Sequence, residues 1–214
     1  MAKFDAVLFD VDGTLLHSSP GIIATMEHTF RAVGIDPSTV DLKRYIGPPL
    51  RKSFGEHFND EETIERMVQI YRDEYKITGQ HMCTPFEGVA EMLTTLDKAG
   101  VLLYTATAKP ITVVTPILKE QRLAHFFKFI GGATEDKSAE TKTDVIRLVL
   151  ARPELAGTRV LMVGDRHDDM QGAANCKIPA AAVLYGYGSK EELEPFAPVF
   201  SANSCSDLVK FILK

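Results

Sequence analysis

Apolar residues follow two rhythms along this chain. Short apolar runs at positions 6–9, 101–104, 126–130, 160–163 and 180–184 alternate with segments in which apolar residues recur at helical spacing. Such runs, bounded by turn residues, mark strands buried on both faces, and strands of that kind separated by helices build a parallel sheet covered on both sides. Val89, Met92, Leu93 and Leu96 share one helix face that ends at Ala99-Gly100, and Val145, Ile146, Val149 and Leu150 share another. Pro116 lies inside a helix-period segment; an interior proline costs about 3 kcal/mol, so a kink or a short first segment is expected there. The fold class is α/β, a doubly wound parallel sheet.

The strand rhythm stops between about 17 and 83. Ser19-Pro20 supplies an N-cap with proline at the first helical position, and Ile22, Ile23, Met26, Phe30 and Val33 form a stripe closed by Gly34. Asp60-Glu61-Glu62 then opens a second helix carrying Ile64, Met67, Val68, Tyr71 and Tyr75 on one face. The expected organisation is a core of 1–16 and 84–214 with an all-helical cap of 17–83 inserted after the first strand. Such an insertion leaves from the carboxyl end of the sheet, where ligands bind in open α/β folds, so a lid over a crevice is expected.

Composition narrows the function. The 214 residues are 45% hydrophobic, and 24 basic against 29 acidic side chains give a net charge of −5. Without a block of Lys and Arg there is no nucleic-acid footprint, and without a long apolar stretch there is no membrane span. An acidic residue at position 5 argues against a signal peptide, so a cytoplasmic protein is expected. Cys83, Cys176 and Cys205 are odd in number and scattered, which fits buried thiols better than disulfides or a zinc site.

Chemistry concentrates where the runs end. Asp10 and Asp12 in Asp10-Val11-Asp12-Gly13-Thr14 point to one side of the chain, which suits a carboxylate nucleophile with an acid/base partner; an Asp-rich turn is the plain alternative. Thr107, with Thr105 as its rival, follows a strand and precedes a proline-initiated helix, a place for phosphate oxygens. Lys142, with Lys137 as its rival, opens a helix, where a cation opposes the macrodipole unless an anion sits beside it. Gly164-Asp165-Arg166-His167-Asp168-Asp169 repeats the strand-then-carboxylate pattern, and acids gathered on one rim repel one another unless a cation intervenes. Hard oxygen ligands point to Mg²⁺. An acidic helix start accounts for Asp168 and Asp169 without a metal.

In this order the motifs resemble the haloacid dehalogenase superfamily of phosphohydrolases, whose first motif reads like Asp10-Val11-Asp12-Gly13-Thr14-Leu15. The 17–83 insertion is similar to the family's small helical cap, and Ile46-Gly47-Pro48-Pro49-Leu50 looks like the phosphoglycolate phosphatase branch. The resemblance implies Asp10 as nucleophile, Asp12 as proton carrier, Thr107 and Lys142 on the phosphoryl group, and Mg²⁺ held by Asp10, the Asp12 carbonyl and Asp165, with Asp169 supporting the metal shell or Lys142. Ala108 stands where the family often has Asn or Ser. Arg44, Arg51 and Lys52, around the Ile-Gly-Pro-Pro-Leu segment, are candidates for a substrate carboxylate or second phosphate. The implied activity is hydrolysis of a small phosphorylated metabolite, phosphoglycolate-like or a nucleotide monophosphate, by a monomer or homodimer. A phosphosugar mutase, or a weakly catalytic phospho-ligand-binding module, are the alternatives.

Overall fold

The computed structural model describes residues 2–136 and 138–214. Its chain divides into two compact units, Met1–His17 with Pro85–Lys214, and Ser18–Thr84. Along the sequence run β1 (Ala6–Phe9), β2 (Leu16–His17), α1 (Ser19–Ala32), α2 (Leu50–Phe54), α3 (Glu61–Ile77), β3 (Thr84–Pro85), α4 (Val89–Lys98) and β4 (Leu102–Pro110). There follow α5 (Ile111–Glu120), β5 (Phe129–Ala133), α6 (Lys142–Leu150), β6 (Val160–Gly164), α7 (His167–Asn175), β7 (Ala180–Val183), α8 (Lys190–Leu193), β8 (Phe200–Ala202) and α9 (Cys205–Leu213).

In the first unit the described residues form a sheet in the order β5-β4-β1-β6-β7-β8. Each neighbouring pair is parallel. The first strand therefore lies in the middle, and the order reverses beside it, which in doubly wound sheets marks where ligands bind. Alternation divides the core: Ala6, Leu8, Tyr104, Ala106 and Met162 pack on Val145, Ile146 and Val149 of α6. Val7, Phe9, Leu103, Leu161 and Val163 are equally buried and face the other side. There α4 packs on β4 and α9, and α9 on β8.

The second unit pairs α1 with α3. Its core is aromatic, with the Phe30 ring edge-on to Phe54 at 6.0 Å. The two backbones meet at Gly21 and Gly79, where a Cβ on Gly21 would stand 2.0 Å from the Gly79 carbonyl oxygen. Asp60 caps α3 by accepting from the Thr63 N–H at 2.8 Å.

Several local expectations are corrected. Ser18 rather than Ser19 is the N-cap of α1, with Pro20 in the first turn, where its missing N–H has no helical partner to lose. No short first segment ends at Pro116, since α5 runs through it from Ile111 to Glu120. The third apolar run shifts: 124–126 is a 3₁₀ turn and the strand continues through Gly131 and Gly132. Those glycines end the apolar run in sequence, yet a Cβ on Gly131 would meet Val149 at 2.4 Å and one on Gly132 the Lys109 carbonyl oxygen at 2.7 Å, so close packing selects them. The strand at 101–104 extends to Pro110, and β8 was not foreseen. Among the described residues no helix is long and apolar enough to cross a membrane.

Candidate active site

β1 delivers Asp10 to the carboxyl rim, where its N–H donates to the Val163 carbonyl at 2.9 Å and continues the pairing with β6. The chain then turns tightly at Gly13, whose φ of +82° favours glycine. A side chain there would also collide with Asp165, whose Oδ2 lies 2.2 Å from the place of a Cβ. Residues distant in sequence are thus pressed together at a position where only glycine fits.

Lys142 opens α6 and turns inward. Its Nζ lies 2.7 Å from Asp10 Oδ1 and 2.7 Å from Asp169 Oδ1, and it donates to the Ala106 carbonyl at 3.0 Å. It meets the two carboxylates as an ion pair; among the described residues neither Oδ1 has a hydrogen-bond donor in good geometry. Burial alone would depress the Lys142 pKa, but Asp10 and Asp169 outweigh it and hold the ammonium firmly protonated. Burial raises Asp10, against the pull of Lys142 and with the help of Asp169 and Asp12.

Asp165 follows β6, fully buried, and is pushed up to about 8 by burial first and then by the charges of Asp169 and Asp10. The Tyr187 N–H donates to its Oδ2 at 2.8 Å and the Thr14 hydroxyl to its Oδ1 at 3.1 Å. Asp169, in the first turn of α7, accepts from the Asp165 and Arg166 N–H groups at 3.1 and 3.0 Å through Oδ2, which leaves Oδ1 for the lysine. Glu192 ties this turn to α8 through Arg166 Nε at 2.9 Å and the His167 N–H at 3.0 Å.

Asp10, Asp165 and Asp169 each offer a carboxylate oxygen within 4.8 Å of the others, all three residues being buried. Four carboxylates, counting Asp12, stand here with two ammonium groups, those of Lys142 and Lys109. An all-oxygen donor set and acids held above their ordinary pKa fit a hard divalent cation. The side chain of Asp12 lies outside this trio and faces Lys109 Nζ at 3.1 Å.

Thr107 is buried on β4, two residues beyond the partner of Phe9 in the sheet, and its Oγ1 accepts from the Lys109 N–H at 3.3 Å. Its rival Thr105 donates its hydroxyl to the Gly131 carbonyl at 2.9 Å and is engaged in the sheet. Lys137 lies outside the described residues. Arg44 and Arg51 belong to the helical unit, where they pair with Glu56, at 2.9 Å, and with Glu65; Lys52 is exposed on α2. Sequence reasoning missed Lys109, Thr14, Glu192 and the Tyr187 N–H. Thr14 belongs to the first motif and Lys109 stands two residues after Thr107, and those places were the available signal; a backbone donor leaves none.

The chain matches the family model for haloacid dehalogenase-like hydrolases over residues 7–183 and belongs to that family. It is 34% identical over 208 residues to a 5'-nucleotidase from Pseudomonas aeruginosa, covering 96% of this chain and 93% of that one. A phosphoglycolate phosphatase from Vibrio vulnificus is 28% identical, over 97% and 95% of the two chains. The crystal structure of a predicted phosphatase from Clostridium acetobutylicum matches with a TM-score of 0.87 at 35% identity, over 97% of each chain. The protein is a phosphatase of this family, a phosphoric monoester hydrolase. Such phosphatases generally use a divalent metal, and the buried aspartate cluster is present here.

Proposed function

We propose that this phosphatase hydrolyses a small phosphomonoester metabolite, phosphoglycolate-like or a nucleotide monophosphate, with Mg²⁺ and through a phosphoryl group carried on Asp10. The observation that carries the reading is Lys142 bridging Asp10 and Asp169 beside Asp165, inside a buried, oxygen-only cluster. Asp10, Asp165, Asp169 and the Asp12 carbonyl would hold Mg²⁺. When bound, the cation supplies positive charge that lowers the repulsion between an anionic nucleophile and an anionic phosphate.

The remaining work falls to the chain. Lys142 restrains Asp10 through one oxygen, so the other is presented to phosphorus in a fixed direction. Asp12, with an Oδ1 that has no partner among the described residues, gives its proton to the leaving oxygen and takes one from water in the second step. Thr107 donates to the phosphoryl oxygens. The partner is thus a small metabolite, met by a monomer or homodimer, and the thiols of Cys83, Cys176 and Cys205 favour the reducing cytoplasm.

Phosphate release from a panel of phosphorylated metabolites, with Mg²⁺ and with EDTA, tests the reading. Selective release that EDTA abolishes is expected. Turnover indifferent to EDTA, or return of the phosphate to a sugar hydroxyl in place of water, overturns it.

A further inference from the structure

The pairing of β4 with β5 slips near its carboxyl end. Thr107 pairs with Gly132 and the next pair is Pro110 with Ala133, so Ala108 and Lys109 bulge out of the ladder. Bulges beside active sites re-aim a side chain. Here Ala108 is exposed while the Lys109 side chain is only 9% exposed, and its Nζ lies 3.1 Å from Asp12 Oδ2. The bulge depends on Gly132, because a Cβ there would stand 2.7 Å from the Lys109 carbonyl oxygen. The Thr107 hydroxyl oxygen braces the turn by accepting from the Lys109 N–H.

The consequence appears on the far side of Asp12. With Oδ2 held by the ammonium, Oδ1 is a buried oxygen with no hydrogen-bond partner among the described residues. We infer that Lys109 is a positioning residue: it fixes the Asp12 carboxyl so that Oδ1 alone carries the proton to and from the reacting oxygen. In the first transfer an Asp10 oxygen bonds to phosphorus as the bond to the leaving oxygen breaks, and the Oδ1 proton goes to that oxygen. In the second, water displaces Asp10 from phosphorus and its proton returns to Oδ1. A carboxyl free to rotate presents this oxygen in only part of its population and lowers the rate without changing the chemistry.

The inference rests on Asp12 being the proton carrier, and leaving-group dependence separates the two claims. The measured quantity is kcat/KM for para-nitrophenyl phosphate, whose phenolate departs with little need of a proton, and for unsubstituted phenyl phosphate, whose leaving oxygen needs one. Lys109→Met is expected to lower kcat/KM for phenyl phosphate by about tenfold or more, a part of what general acid catalysis supplies, and for the nitro ester several-fold less. Lys109→Gln, which keeps an N–H donor, should recover part of the difference. Gly132→Ala, which displaces the bulge and leaves Lys109 chemically intact, should reproduce the Lys109→Met pattern and provides the same reading should Lys109→Met not fold.

An equal loss on both esters would make Lys109 a substrate-binding group, and no loss would make it a bystander; either overturns the inference. Asp12→Asn is the control on the underlying reading. Wild-type leaving-group dependence in Asp12→Asn sinks the proton-carrier assignment itself. Steep dependence there with wild-type dependence in Lys109→Met sinks only the role of Lys109.

Discussion

Removing the Lys142 ammonium would leave Asp10 and Asp169 buried without their shared counter-charge. Breaking a buried pair from one side costs about 3–5 kcal/mol, so Lys142→Met should lower the urea midpoint strongly, and added divalent cation should restore part of it. Asp10→Asn keeps the shape and leaves Lys142 its contact with Asp169. It should remain folded by circular dichroism while kcat falls by about 10⁴-fold or more, the scale seen when a nucleophile is removed; near-wild-type turnover would refute its assignment. At this scale the sequence was readable wherever a functional group is a side chain in an unusual place. Asp10 and Asp165 stood out as carboxylates close after apolar runs, with Asp169 in the same acidic cluster as Asp165, and the three converge in the structure. The Lys109 contact with Asp12 was hidden because it depends on a two-residue slip in the ladder, and a plain period-2 strand gives no sign of one.

The loop between β7 and α8 works as a backbone mould around Asp165. Gly186 and Gly188 bring it so close that a Cβ would lie 2.4 Å from the Asp165 Cβ and 1.8 Å from its carbonyl oxygen, respectively. Gly188→Ala is therefore expected to lose about 2 kcal/mol or more, by overpacking against backbone that has no room to move, and to weaken divalent-cation binding in calorimetry. Gly157→Ala, with open space at its Cβ but a φ of +74°, should lose about 1 kcal/mol and leave cation affinity unchanged. Elements were legible where burial and period agreed, as in β1, α3, α4 and α6. β5 was misplaced because its glycines are chosen for what packs on them, and β8 was missed as a three-residue edge strand with an exposed Ser201 at its centre.

For the molecule as a whole, cation binding and protonation are linked. The Asp165 pKa of about 8 lies above the ordinary carboxylate value, so the folded, cation-free protein binds the proton more tightly than the unfolded chain does. That stability falls as pH rises from about 4 through about 8, and a cation, which needs the carboxylate, competes with the proton. Titration calorimetry in buffers of different ionisation enthalpy should show release of about one proton per cation bound near pH 7 and almost none near pH 9; equal release at both would contradict the Asp165 assignment. The central place of β1 also sets a schedule for biosynthesis. Thr14 and Asp165, in contact across 151 residues of chain, cannot meet until β6 has left the ribosome. At about 5–20 residues per second that wait is on the order of 10–30 s, during which the helices of Ser18–Thr84 have only local partners to find. A nascent chain released before β6 is therefore expected to be inert toward phosphate esters and to expose β1 as an unpaired apolar edge, a target for chaperones and proteases.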